Sequence, residues 1–89
     1  MKIAIIGAGN LGRTLAKKWA IAGHEIRFGV RNPSDPKYTD LHYIGAVVSI
    51  GEALNAADVV LLSLPGAAVM DFAVQHGSAL TGKVVIDST

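Results

Sequence analysis

Lys2-Ile-Ala-Ile-Ile-Gly-Ala-Gly-Asn-Leu-Gly12 is the stretch whose reading decides the fold. Ile3 to Ile6 is an unbroken apolar run, the pattern of a parallel strand covered on both faces. It gives way to Gly7-Ala8-Gly9-Asn10-Leu11-Gly12, a G-x-G-x-x-G loop. A helical pattern follows at once, with Leu11, Leu15 and Trp19 on one stripe at four-residue spacing. A glycine-rich turn alone says little. Strand, loop and helix in this order are what make the motif a dinucleotide site. In that context Gly7 permits the tight turn, Gly9 lets backbone approach a pyrophosphate, and Gly12 lets helix and strand pack closely. The free N–H groups near Asn10 and Leu11 then face the phosphates, with the positive end of the helix dipole behind them.

Outward from this stretch, the chain alternates strand and helix patterns. The first helix is predicted from Asn10 to Ala22, stopping at Gly23. Arg13 reads either as a surface charge or as a phosphate contact, and Lys17 and Lys18 lie off the stripe. Glu25 to Val30 alternates as a second strand, and its end carries information. A binder of NAD usually holds the ribose 2′-hydroxyl there with Asp or Glu. Here the chain reads Gly29-Val30-Arg31-Asn32-Pro33, with no carboxylate at that point. Arg31 offers charge and a planar face, and Asn32 a hydrogen bond, so NADP is favoured over NAD. The bland alternative is that Arg31 only begins an exposed loop.

Asp35-Pro36 suits a cap followed by a short helix to about His42, with Lys37 read as solvated or, alternatively, as reaching the phosphate, and Tyr38 as packing. Ala46 to Val48 is a short third strand. Ser49-Ile-Gly-Glu52 has capping-box form and opens a helix through about Ala56. Val59 to Leu64 is a fourth strand, ended by Pro65-Gly66. In a doubly wound sheet this loop leaves the carboxyl edge beside the glycine loop. Ser63, Leu64 and Pro65 are therefore candidates to line the ribose and nicotinamide side, against the alternative of a plain strand-ending proline. Ala67 to Leu80 reads as a helix weakened at Gly77, and Val84 to Ile86 as a fifth strand. Asp87-Ser88-Thr89 should sit at the carboxyl edge. His24 and His76 have no evident partner in sequence. The predicted fold is α/β: a Rossmann-type, doubly wound parallel sheet of five strands in the order 3-2-1-4-5.

The glycine loop, Leu15-Ala16, Gly23-His24-Glu25 and Arg31-Asn32-Pro33 together resemble the N-terminal domain of the NADP oxidoreductase, coenzyme F-420-dependent family. The cytosolic domain of the six-transmembrane metalloreductases is similar over the same stretch. The resemblance implies hydride exchange between NADP and a deazaflavin. It also implies that Arg31 and Asn32 hold the 2′-phosphate and that Leu64 and Pro65 line the site. Val30 departs from the small hydroxyl residue often found before this arginine in the family, which removes one phosphate hydrogen bond.

Composition bounds the remaining classes. With 89 residues, the chain makes one small domain, burying about two-thirds of its unfolded surface. A net charge of +1 gives no reason to invoke nucleic acid or an anionic membrane. The absence of cysteine excludes disulfides, thiolate metal sites and cysteine nucleophiles. No segment reads as a signal peptide or a membrane span, so a cytoplasmic protein is the default. No residue reads as a general acid or base. The expectation is a cofactor-binding domain, 1–89, forming the N-terminal part of a larger oxidoreductase with a flavin or deazaflavin hydride partner. The alternatives are a non-catalytic NADP-sensing module and an imine or hydroxyacid reductase domain. Bare sheet edges would give a minimal unit reason to associate as a homodimer.

Overall fold

Five short parallel strands form the centre of the protein in a computed structural model that describes residues 1–87. They are β1 (Lys2–Ile6), β2 (Glu25–Val30), β3 (Ala46–Ser49), β4 (Val59–Leu62) and β5 (Val84–Asp87), in the order β3-β2-β1-β4-β5. The order is the one the sequence predicts. β1 is the middle strand, with two strands on either side, and Ile5 pairs with Phe28 of β2 on one edge and with Leu61 of β4 on the other. That explains its unbroken apolar run: Ile3 to Ile6 are all buried.

Alternation along the strands sends side chains into two separate apolar layers. Ala4, Ile6, Val60 and Leu62 point to one face, where they meet α2 (Ile50–Leu54) and α3 (Gly66–His76) through Ala53, Leu54 and Phe72. Ile3, Ile5, Phe28 and Leu61 point to the other, covered by α1 (Asn10–Ile21) and by a 3-10 helix, Pro36–Tyr43. The stripe on α1 differs from its sequence reading. Gly12 and Ala16 are the buried positions, Leu15 and Trp19 pack partly, and Leu11 is exposed. Small residues face the sheet because the helix lies close to it.

Other boundaries shift for local reasons. Asp35 caps the 36–43 segment by accepting from the Lys37 N–H at 3.0 Å, but the turns are 3-10 rather than α. Ser49 Oγ accepts from the Glu52 N–H at 3.2 Å, as the capping box predicts. The helix it opens stops at Leu54 because Asn55 is extended and Ala56 takes a left-handed φ of 63°. β4 ends at Leu62, two residues early. The predicted helix 67–80 divides into α3 and a 3-10 turn, Gly77–Leu80. His24 does have a partner: the N-terminal amine lies 3.1 Å from its Nδ1. Ser88 and Thr89 lie outside the described residues.

Phe28 is the largest of the fully buried side chains and bears on the α1-side layer. Phe28→Ala should lower unfolding free energy by about 3–5 kcal/mol. In a domain this small that is a large share of the total. Urea unfolding followed by circular dichroism measures it; a loss below about 1 kcal/mol would contradict the central placement of β2.

Candidate functional site

The carboxyl ends of β1, β2 and β4 open together at one edge of the sheet, and the loops that leave them build two adjoining clefts. The glycine loop is drawn down onto this edge. Gly7 N–H donates to the Gly29 carbonyl at 3.0 Å, and Ser63 N–H to the Ile6 carbonyl at 2.8 Å. Gly7 has a φ of +97°, and a Cβ placed there would lie 2.3 Å from the Ser63 carbonyl oxygen. Only glycine fits both conditions. Ser63 also touches the other two loop glycines, because a Cβ on Gly9 or Gly12 would come within 2.6 Å of its Oγ. The structure thus adds a neighbour to the sequence account of the motif: the loop's glycines also make room for Ser63.

The first cleft, about 530 Å³, is lined by Gly7 to Leu11, Tyr38, Ser63, Leu64 and Pro65. Helix α1 begins here with Gly9 as its N-cap, which has no side chain to cap the helix, and with no acid in the first turn. Its first N–H groups, from Asn10 onward, therefore keep their positive end for an anion. The second cleft, about 350 Å³, lies on the β2 side. Gly29, Val30, Arg31 and Asn32 line it from the end of β2, Asp35 from the cap of the 3-10 helix, Lys37 and Tyr38 from the helix itself, and Phe72, Gln75 and His76 from α3. Gly7, Tyr38 and Leu64 line both clefts, so the two are joined.

Gly7, Gly9, Asn10, Leu11, Arg31, Asn32, Ser63, Leu64 and Pro65 all lie on one of these clefts, whereas Gly12 is buried beneath the first and Arg13 lies on neither. Arg31 is exposed, and its guanidinium makes no ion pair among the described residues. Asn32 Oδ1 accepts from Ser34 Oγ at 3.0 Å, which leaves its Nδ2 group to donate. Lys37 is not simply solvated: it lines the cleft, with Nζ 5.1 Å from the Tyr38 ring centroid. Asp35 also reaches the cleft, so a carboxylate is present although none stands at the end of β2. One of its oxygens is engaged by the Lys37 N–H, and two cations, Arg31 and Lys37, line the same cleft. Arg13 is not on either cleft and is bound to Asp40 and the Ala8 carbonyl.

Residues that sequence reasoning missed come from the far side of the fold. Phe72 and His76, whose rings lie 5.4 Å apart, and Gln75 enter the second cleft one turn apart on α3. Helical spacing puts them on one face, but nothing in sequence says that this face looks toward β2.

Order of strands, glycine loop and uncapped helix define a Rossmann-type nicotinamide-dinucleotide domain of the oxidoreductases. More narrowly, residues 2–89 match the model of the family NADP oxidoreductase coenzyme F420-dependent, and the chain belongs to that family. It is similar to a glycerol-3-phosphate dehydrogenase [NAD(P)+] of Pseudomonas fluorescens (strain Pf0-1), 28% identical over 98% of this chain and 28% of that protein. Among solved structures it is similar to a protein assigned as an F420-dependent NADP reductase from Arthrobacter sp. FB24. That likeness has a TM-score of 0.82 and 27% identity, over 98% of this chain and 44% of that one. An imine reductase from Bacillus cereus BAG3X2 is similar at a TM-score of 0.76 and 30% identity, over 96% and 30%. The chain thus spans less than half the length of each of these relatives. Among the described residues no helix is long and apolar enough to cross a membrane.

The contacts of Ser63 separate two kinds of glycine in the loop. Gly7→Ala must strain a left-handed φ, about 1–2 kcal/mol, and must also push backbone aside. Gly9→Ala meets a hydroxyl that can rotate, and the Ser63 carbonyl oxygen at 3.3 Å, which has to give by only a small amount. Urea midpoints should therefore fall clearly for Gly7→Ala and little for Gly9→Ala; equal losses would contradict this account of the loop.

Proposed function

We propose that residues 1–89 are the NADP(H)-binding half of an oxidoreductase, the N-terminal cofactor domain of a longer enzyme. The observation that carries this reading is the pair of joined clefts, one beneath an uncapped helix N-terminus and the other bearing Arg31, Asn32 and Lys37. A dinucleotide has a pyrophosphate for the first. NADP adds a 2′-phosphate for the second. Gly7, Gly9, Asn10, Leu11 and Gly12 form the pyrophosphate site, Arg31 and Asn32 the 2′-phosphate site, and Leu64 and Pro65 line the nicotinamide side.

The cofactor supplies the hydride, and the chain supplies orientation and charge. Arg31 and Lys37 against Asp35 leave the second cleft net positive, which favours the extra phosphate of NADP over NAD. The family description favours a deazaflavin as hydride partner. The likeness to an imine reductase at 30% identity supports an imine as the second reading.

Two experiments test these points. A charge-assisted contact contributes about 1.5–3 kcal/mol, so Arg31→Ala should weaken NADP binding by about one to two powers of ten. NAD binding should change little, and high salt should act in the same direction. Calorimetry showing equal affinity of the unmodified chain for both cofactors would sink the NADP assignment. Gly9→Val, folded by circular dichroism, should also lose affinity for both cofactors.

Catalysis needs an acceptor held against the nicotinamide, an alignment that accounts for about 7–11 kcal/mol of a barrier. The carboxyl edge of β5 offers one wall of such a pocket. Stopped-flow oxidation of NADPH by these 89 residues, with deazaflavin or simple imines, should not exceed the enzyme-free rate. Saturable turnover would show that the second wall is already present, a homodimer being one source of it.

A further inference from the structure

Arg13 and Asp40 stand 27 residues apart and meet beside the glycine loop. Arg13 Nε donates to the Ala8 carbonyl at 3.0 Å, and Nη1 donates to Asp40 Oδ2. One guanidinium therefore holds the glycine loop by one edge and the 3-10 helix by the other. That helix is fixed at two further points. Asp35 caps its start, and Leu41 is fully buried in the α1-side layer. Tyr38 lies between these points, half-buried against the same layer, and it lines both clefts.

The ion pair is too exposed to matter much to folding, with side-chain exposures of 29% for Arg13 and 60% for Asp40. What a pair in this place fixes is the distance and angle between two elements. Arg13 is the only residue to hydrogen-bond both of them through its side chain among the described residues.

We infer that Arg13 and Asp40 are a positioning pair, locking the 3-10 helix to the glycine loop. Tyr38 is thereby held as the ridge over which a dinucleotide passes from one cleft to the other. The inference rests on the dinucleotide reading above, and it removes Arg13 from the phosphate ligands. Its guanidinium is already committed to a carboxylate and a carbonyl.

The test uses Arg13→Gln, Asp40→Asn, the double variant and Asp40→Glu in the full chain. NADP affinity is measured by calorimetry, and amide hydrogen exchange of residues 36–43 is measured without ligand. Each of the first two variants should weaken binding about three- to tenfold, and the double no more than the worse single. Asp40→Glu should restore most of the affinity, urea midpoints should hardly move, and exchange around Tyr38 should speed up in both singles. An Asp40→Asn variant that binds NADP as well as, or better than, the unmodified chain would overturn the pair, because it would mark Arg13 as a direct phosphate ligand. Additive losses, or lowered stability with unchanged affinity, would overturn it too. An unmodified chain that binds no NADP would overturn both the dinucleotide reading and the ridge. The exchange data distinguish that result from a pair that locks nothing, for which exchange would stay at the unmodified rate.

Discussion

The turn after β1 has to pass within van der Waals reach of the end of β4, and much of the structure follows from that close approach. Ser63 sits beneath the glycine loop, with its carbonyl under Gly7 and its hydroxyl under Gly9 and Gly12. Backbone hydrogen bonds from Gly7 to Gly29 and from Ser63 to Ile6 hold three strand ends at one level. Side chains on these glycines would lift the loop off the sheet, and α1 with it. The helix would then lose its seat on Ala16, and its free N–H groups would no longer face the edge where the clefts open.

The rest of the core keeps that edge level. Two apolar layers, one on each face of the sheet, press the strands from both sides, so β1 and β4 have little freedom to slide. The layers are unequal in kind. One is closed by α helices, and the other is closed partly by the 3-10 helix, which contributes Leu41 to it. A 3-10 helix has weaker backbone bonds than an α-helix. Anchors outside its own backbone are therefore what hold it, and this makes the Asp35 cap and the Arg13 bridge informative.

Charge is distributed along the joined clefts with a purpose that local sequence only half reveals. The glycine-loop end relies on backbone N–H groups and the helix dipole, which act at short range and need no side chain. The β2 end relies on Arg31 and Lys37, which line the second cleft. Asp35 moderates that end without reversing it. A ligand with an anionic group for each end suits this distribution, and the proposed NADP carries a pyrophosphate for one and a 2′-phosphate for the other.

Sequence by itself determined the strands, their parallel order and the glycine loop. These depend on short-range pattern: apolar runs, turn residues and capping boxes that act within a few residues. It also marked Arg31 and Asn32, because the end of β2 follows once β2 is placed. The details that it left open depend on contacts between distant elements. Leu11 belongs to the helical stripe in sequence but is exposed, since the close approach of α1 leaves room only for Gly12 and Ala16 against the sheet. Ser63 reads as the tail of a strand and a candidate to line the site, and it also becomes the floor of the loop. Arg13, open in sequence between a surface charge and a phosphate contact, is bound to Asp40 27 residues away. Phe72 and His76 meet the β2 loop only because the crossover from β4 returns α3 to the same face as α2. Local spacing encodes which residues share a face. Only the packed structure decides what that face meets, because the partners are brought there by the folding of other segments.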